Sequence, residues 1–209
     1  WPRLVQLAWQ LHDNTGKLIN RGNKIVFPED FTIPYNSEKI HGISTDRAKA
    51  EGHPLSEVMD EFLIDVEKAD FVVGHNVEFD INIVGCELFR SNVATTRLTD
   101  VPPIDAKNEG TAFCAIPGGR GGKFKWPTLT ELHQKLFDTD FGDAHDAAYD
   151  VDATAKCFFG LLTEGVIAPM EGIELSDITY DAPKLESANF AKKETKKDTD
   201  SGLVEVSDD

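Results

Sequence analysis

With 209 residues, 40% of them hydrophobic, and 16 glycines, the chain has the composition of one ordinary globular domain with an appendage. A formal net charge of -16 argues against simple electrostatic capture of nucleic acid, which draws on Lys and Arg. No apolar run approaches a membrane span and no basic-then-apolar leader opens the chain, so a cytoplasmic protein without membrane contact is expected.

Two features weaken the charge argument. Residues 171–209 hold eleven acids against five lysines, so a good part of the negative charge belongs to a tail. Divalent ions held by carboxylates also invert the local charge, and an acidic site then takes a phosphodiester. Cys86, Cys114 and Cys157 are an odd, widely spaced set that matches neither a disulfide framework nor a zinc site; packed thiols in a reducing compartment are expected.

In LVQLAWQLHD, Val5, Leu7, Trp9 and Leu11 alternate with Gln6, Ala8 and Gln10, which predicts a strand with one apolar face. DNTGK turns the chain, and KIVFP predicts a second strand antiparallel to the first. Residues 29–53 read as loop and short helix. Pro54 then opens a helix with Leu55, Val58, Phe62, Val66 and Ala69 on one face. FVVG at 71–74 is a short apolar run of the kind found in buried parallel strands.

HNVEFDINIVGCELFR predicts a helix capped by Asn76, with Asp80 in its first turn at the carboxyl end of the preceding strand. Ligands of open α/β sheets sit at that edge. VPPIDAK predicts another short strand. GGRGGKFKW is a glycine-rich basic loop before the helix TLTELHQKLF. In GDAHDAAYDVDATAKCFF, the spacing of Ala144, Ala148, Val151, Ala155, Phe158 and Leu162 predicts a closing helix with one apolar stripe. Asp150 lies beside that stripe, where a partly desolvated carboxylate needs a hydrogen bond, a cation or a metal. His145 falls about 140° around an ideal helix from Asp150, so the two serve one site only if the histidine precedes the helix proper.

Asp80, Asp150 and His145 together point to phosphodiester hydrolysis. Carboxylates hold the ions that activate water and stabilise the leaving oxygen, and a histidine takes the water's proton. Asp146 and Asp152 read as solvated helix residues, His75 as part of a strand-end turn, and His12, His53 and His133 as surface residues. Arg120, Lys123 and Lys125 alternate with Phe124 and Trp126. Either they follow the phosphates of a single strand beside an aromatic platform, or they form a surface loop whose aromatics pack on the domain.

IHGIS at 40–44, VVGHNVEFD at 72–80 and HDAAYD at 145–150 resemble, in order, three signatures of the DEDDh exonucleases of the RNase H-like superfamily, in particular the epsilon-type proofreading domains of bacterial DNA polymerase III. The resemblance covers roughly residues 1–165. It implies an α/β fold, an RNase H-like mixed sheet with flanking helices. It also implies Asp80 and Asp150 as metal ligands, His145 as general base, and Ile40, His41, Asn76 and Phe79 around the terminal nucleotide, with two Mg2+ or Mn2+ ions. The implied substrate is a single-stranded or frayed 3′ DNA end.

IPYNSEKIHGIS and PGGRGGKFKWPTLTEL resemble more specifically the exonuclease domains fused to a polymerase III alpha subunit, which makes that subunit the expected partner. The domain is then expected over 1–170, with 171–209 an acidic, disordered linker or tail. The departure from the family is at the amino end. Its first motif, a D-x-E strand, should precede WPRLVQLAW and is not in the chain. That implies two of four metal-binding carboxylates missing, little activity in the chain as given, and a sheet lacking its opening central strand, with unpaired backbone groups in the middle. An RNA-trimming relative and a non-catalytic module that binds a 3′ end or a polymerase are the alternatives.

Overall fold

The computed structural model describes residues 1–93, 96–139, 147–169, 171 and 174–180. Strands β1 (Gln6–His12) and β2 (Leu18–Ile25) pair antiparallel, with Gln6 opposite Ile25 and Trp9 opposite Gly22. The predicted alternation is what this pairing uses, since Trp9 and Leu11 are buried. Gly22 is required by the register: the Trp9 indole lies across it, and any Cβ there would overlap the ring. The same indole donates its Nε1–H to Asp65 at 2.9 Å, while Asn20 and Lys68 donate to that carboxylate at 2.7 and 2.9 Å. Burial opposes the Asp65 charge, but the three donors outweigh it and hold the carboxyl below its ordinary value.

Helices α1 (Tyr35–His41) and α2 (Thr45–Glu51) occupy the stretch read as loop and short helix. The Ser44 hydroxyl caps α2 by accepting the Arg47 N–H at 3.0 Å. Helix α3 (Leu55–Val66) starts behind Pro54 and buries Leu55, Val58, Met59 and Val66. Then come β3 (Val72–Gly74), α4 (Val77–Arg90), α5 (Arg97–Asp100), β4 (Pro103–Asp105) and α6 (Ala106–Cys114). β3 and β4 are parallel, with Gly74 beside Asp105. Helix α7 (Leu129–Phe137) opens on a reciprocal capping box between Thr128 and Glu131.

Helix α8 (Ala147–Thr163) departs from its predicted single stripe. Cys157 and Leu161 pack toward α6 and α7, while Phe158, Phe159 and Leu162 pack toward Val73 and Ile104 of the β3–β4 pair. A helix covered on two sides needs apolar residues around most of its circumference, and the run CFFGLL provides them. The other main cluster gathers Leu4, Val26, Val58, Ile83 and Leu88 between the strands, α3 and α4.

Among the described residues β1 bonds only to β2, and β3 only to β4. A cleft of about 1250 Å³ lies against both, lined by every residue from 2 to 14 and from 68 to 75. Side chains of a strand alternate between faces, so lining by consecutive residues means that the cleft meets the strands edge-on. Two open strand edges therefore face one mostly apolar space, which α3, α4 and α8 also line.

Three sequence readings are corrected here. His133 is buried, 2% exposed, with its Nδ1–H donating to the Thr139 carbonyl at 2.7 Å. His12 is half-buried against Phe159 and Tyr180. Asp152 is not a solvated helix residue: it accepts the Tyr180 hydroxyl at 3.3 Å, and burial raises its carboxyl above the ordinary value. Asp146 lies outside the described residues.

Residues 174–180 also contact the body. The Thr179 N–H donates to the Thr15 carbonyl at 2.8 Å, and the Tyr180 ring stacks on Phe159 at 5.0 Å. The three cysteines are free thiols, and burial pushes that of Cys157 up to about 12. Among the described residues no helix is long and apolar enough to cross a membrane.

Candidate active site

The site is built outward from the parallel pair. Because Gly74 stands beside Asp105, the last residue of β4 faces the turn that leaves β3. The Asp105 carboxylate caps α6 by accepting the Lys107 N–H at 3.0 Å, and it reaches across to accept the Asn76 N–H at 2.9 Å. Asn76 has φ +78°, a left-handed conformation that asparagine enters more readily than most residues. It holds the cap position of α4, as predicted, but its side chain caps nothing. Instead its Oδ1 accepts the Lys107 ammonium at 2.6 Å.

His75 ties the same turn to the loop before α7 by donating its Nε2–H to the Pro127 carbonyl at 3.0 Å. Burial holds this imidazole below its ordinary value, partly offset by the Pro127 carbonyl, Asp105 and Asp150. The start of α4 is thus fixed by three side chains, and α4 carries Asp80 in its first turn.

Asp80 lines the cleft with its side chain exposed to it. Desolvation by the surrounding cleft walls, reinforced by the charge of Asp105, pushes its carboxyl up to about 6. A carboxyl so placed suits either proton transfer near neutrality or capture of a cation that replaces the proton. Asp150, on α8, lines the same cleft. Two acids seventy positions apart in sequence therefore face one space.

Ile40, His41 and Phe79 line the cleft as well. His41 Nδ1 accepts the Ile43 N–H at 3.2 Å, so in the neutral ring Nε2 carries the proton. That Nε2 is buried and has no partner among the described residues. Burial lowers the His41 pKa and favours this neutral form. Phe79 meets the Trp1 ring edge-on at 6.0 Å, and the segment after Trp1 is anchored by the buried Glu87, which accepts from the Leu4 N–H and the Arg3 guanidinium.

The remaining sequence candidates fall elsewhere. Asn76 is exposed and does not line the cleft. Arg120 and Lys123 are exposed on the glycine-rich loop, outside the cleft, and Lys125 is ion-paired to Glu131 at 2.7 Å. His145 lies outside the described residues. Asp105 and Lys107 are the residues that sequence reasoning passed over. The available signal was local: an Asp just before a helical run is an N-cap signature, and a cap at the end of a parallel strand faces the ligand edge. Among the described residues no three His, Cys, Asp or Glu side chains converge closely enough to hold a metal ion.

The model of the exonuclease family known as RNase T matches residues 3–158. The 3'-5' exonuclease DinG of Bacillus subtilis is 28% identical over 160 residues, spanning 77% of this chain and 16% of that protein. Exonuclease I of E. coli in complex with a dA16 oligonucleotide superposes with a TM-score of 0.60 at 19% identity, over 78% of this chain and 37% of that one. Its complex with a 5cy-dT13 oligonucleotide gives 0.61 at 20% identity. The chain thus spans a minor part of each of these relatives, and the likeness to the solved structures establishes a shared fold. With Asp80 and Asp150 facing one cleft in that fold, and the family's model matched through both, the chain belongs to the exonuclease family.

Proposed function

We propose that the chain is the exonuclease module of a 3′-5′ exonuclease that removes terminal nucleotides, as monophosphates, from single-stranded or frayed 3′ DNA ends. The observation that carries this reading is the convergence of Asp80 and Asp150 on one cleft that also holds Ile40, His41 and Phe79. The 3'-5' exonuclease named for DinG and the oligonucleotides held by Exonuclease I support the direction and the substrate class.

In this reading Asp80 and Asp150 hold Mg2+ or Mn2+, and His145 takes the proton of the attacking water. His41, whose buried Nε2–H has no partner among the described residues, lies beside the terminal nucleotide, and Ile40 and Phe79 supply apolar walls. The donor chemistry fits divalent ions in type but not in number. Asp105 is committed to Asn76 and Lys107, and among the described residues no third acid converges with Asp80 and Asp150, where a two-ion centre needs more than two carboxylates. No chemical step is therefore assigned through the ions. The missing donors fit a D-x-E strand lying between the open edges of β1 and β3, which would pair both edges and pass the end of the cleft where Asp80 stands. The finer assignment, proofreading beside a DNA polymerase III alpha subunit, rests on the resemblance of residues 33–44 and 117–132.

The test compares the 209-residue chain with a version extended upstream through the D-x-E strand, on a 3′-mispaired primer with Mg2+ and with Mn2+. The extended version should release mononucleotides and the shorter one little or none, since misplacement of about 1 Å at such a centre costs ~10²-fold. His145→Ala in the active version should cost at least ~10²-fold, the usual loss for a general base. Equal rates from the two lengths would refute the need for the upstream strand, and an inactive extended version would refute the enzyme in favour of a binding module.

A further inference from the structure

Trp126 is held in place and yet points outward. The backbone before it is pinned by the Lys125 N–H, which donates to the Ile116 carbonyl at 2.9 Å, and the backbone after it by the Pro127 carbonyl, which accepts from His75. Pro127 itself is buried, whereas Trp126 is 65% exposed and Phe124, two residues earlier, is 49% exposed. A pinned backbone that turns two large aromatics to solvent gains nothing for the core.

One face of the indole is already occupied. The Lys107 ammonium lies 4.4 Å from the Trp126 ring centroid while donating to Asn76 Oδ1 at 2.6 Å. A single side chain therefore links this ring to the turn that starts α4 and positions Asp80. The exposure of Trp126 leaves its other face open. On the same loop Arg120 and Lys123 are exposed and form no ion pair among the described residues, unlike Lys125. In a chain of net charge -16, two free cations beside two exposed aromatics mark a local preference for an anionic, ring-bearing ligand.

We propose that an internal base of a single DNA strand stacks on the free face of Trp126, with the flanking phosphates held by Arg120 and Lys123. Lys107 braces the indole from behind and couples the platform to Asn76. Every base has a π-face, so this contact is indifferent to sequence, as a module that moves along a strand requires. The inference rests on the exonuclease reading above and adds where the strand interior to the cleaved end is held.

The test measures binding of a 5′-fluorescein-labelled single-stranded oligothymidylate to the 209-residue chain in EDTA, so that no hydrolysis intervenes. The unsubstituted chain should bind with quenching of its tryptophan emission, and Trp126→Ala should weaken binding roughly fivefold or more. Arg120→Gln and Lys123→Gln should each reduce the salt slope by about 0.7. A series of oligonucleotides, each with one abasic position, should show a single internal position whose loss weakens binding to the unsubstituted chain and not to the Trp126→Ala chain. Equal affinity of Trp126→Ala, or an abasic series with no sensitive position, would overturn the platform and leave the exonuclease reading standing. Absence of binding by the unsubstituted chain would also overturn the platform, while the exonuclease reading is decided separately by the activity of the extended version.

Discussion

The Asp105 carboxylate accepts the main-chain N–H of Asn76, 29 residues away, at 2.9 Å, and in doing so couples the end of β4 to the start of the helix that carries Asp80. The same carboxylate caps α6 through the Lys107 N–H. One side chain thus holds two helix starts at the carboxyl edge of the parallel pair.

Removing it should be felt twice. A hydrogen bond to a charged acceptor contributes ~1.5–3 kcal/mol and an N-cap ~1 kcal/mol, so Asp105→Ala should cost about 2–4 kcal/mol in urea unfolding. Asp105→Asn keeps an acceptor oxygen and should recover part of that loss. A cost below about 1 kcal/mol for the alanine variant would show that the turn at Asn76 holds its left-handed conformation without help.

Asp65 gives a pH dependence of definite sign. Its carboxyl titrates below 3.8 in the fold, held there by Trp9, Lys68 and Asn20 against the effect of burial. The unfolded chain therefore binds the extra proton first as pH falls. The stabilisation is fully present above 3.8 and is lost as pH drops through the lower folded value. Asp65→Asn should be less stable than the parent by ~1–3 kcal/mol near neutrality, and the gap should close in strong acid. Unfolding curves at several pH values measure it, and a gap that stays constant with pH would show that shape, not charge, matters at this position.

Glu87 and Glu61 provide a matched pair of ion-pair deletions. Glu87 is 1% exposed and is met by Arg3, Arg90 and the Leu4 N–H, whereas the Lys24–Glu61 pair is on the surface. Removing Glu87 strips the buried Leu4 N–H of its acceptor and breaks both arginine contacts, so Glu87→Ala should cost ~2–3 kcal/mol, against ~1 kcal/mol or less for Glu61→Ala. Thermal unfolding of the two variants side by side tests the contrast. The Glu87 variant should also loosen the segment after Trp1, raising hydrogen exchange at Leu4.

Tyr180 sets the expected limit of the protease-resistant body. Its ring stacks on Phe159, its hydroxyl donates to Asp152, and the neighbouring Thr179 N–H bonds to Thr15. Brief proteolysis should leave a fragment that ends beyond residue 180, not near 171, and Tyr180→Ala should admit cleavage closer to 171. Mass spectrometry of the fragments distinguishes the two ends.

The sequence by itself determined what depends on local period and end chemistry. Alternation at Val5, Leu7, Trp9 and Leu11 marks β1, helical spacing from Leu55 to Val66 marks α3, and the strand-then-helix change at Gly74–Val77 places Asp80 in a first turn. Each of these follows from a repeat of two or 3.6 residues, or from a cap read within a few positions. The candidate carboxylates were legible for the same reason, being acids at the start of one apolar helix and beside the stripe of another.

Only the tertiary structure decided which side chains meet. The pairing of Gly74 with Asp105 hands the Asn76 N–H to an acid that the sequence marks merely as a helix cap. His133 is buried on α7 and bonded to Thr139, and the return of residues 174–180 sets Tyr180 against Asp152 and His12. Lys107 and Lys125 are both lysines near aromatic residues, yet one braces Trp126 and the other is spent on Glu131. Strand register and the reach of individual side chains fix these outcomes, and neither leaves a periodic trace along the chain.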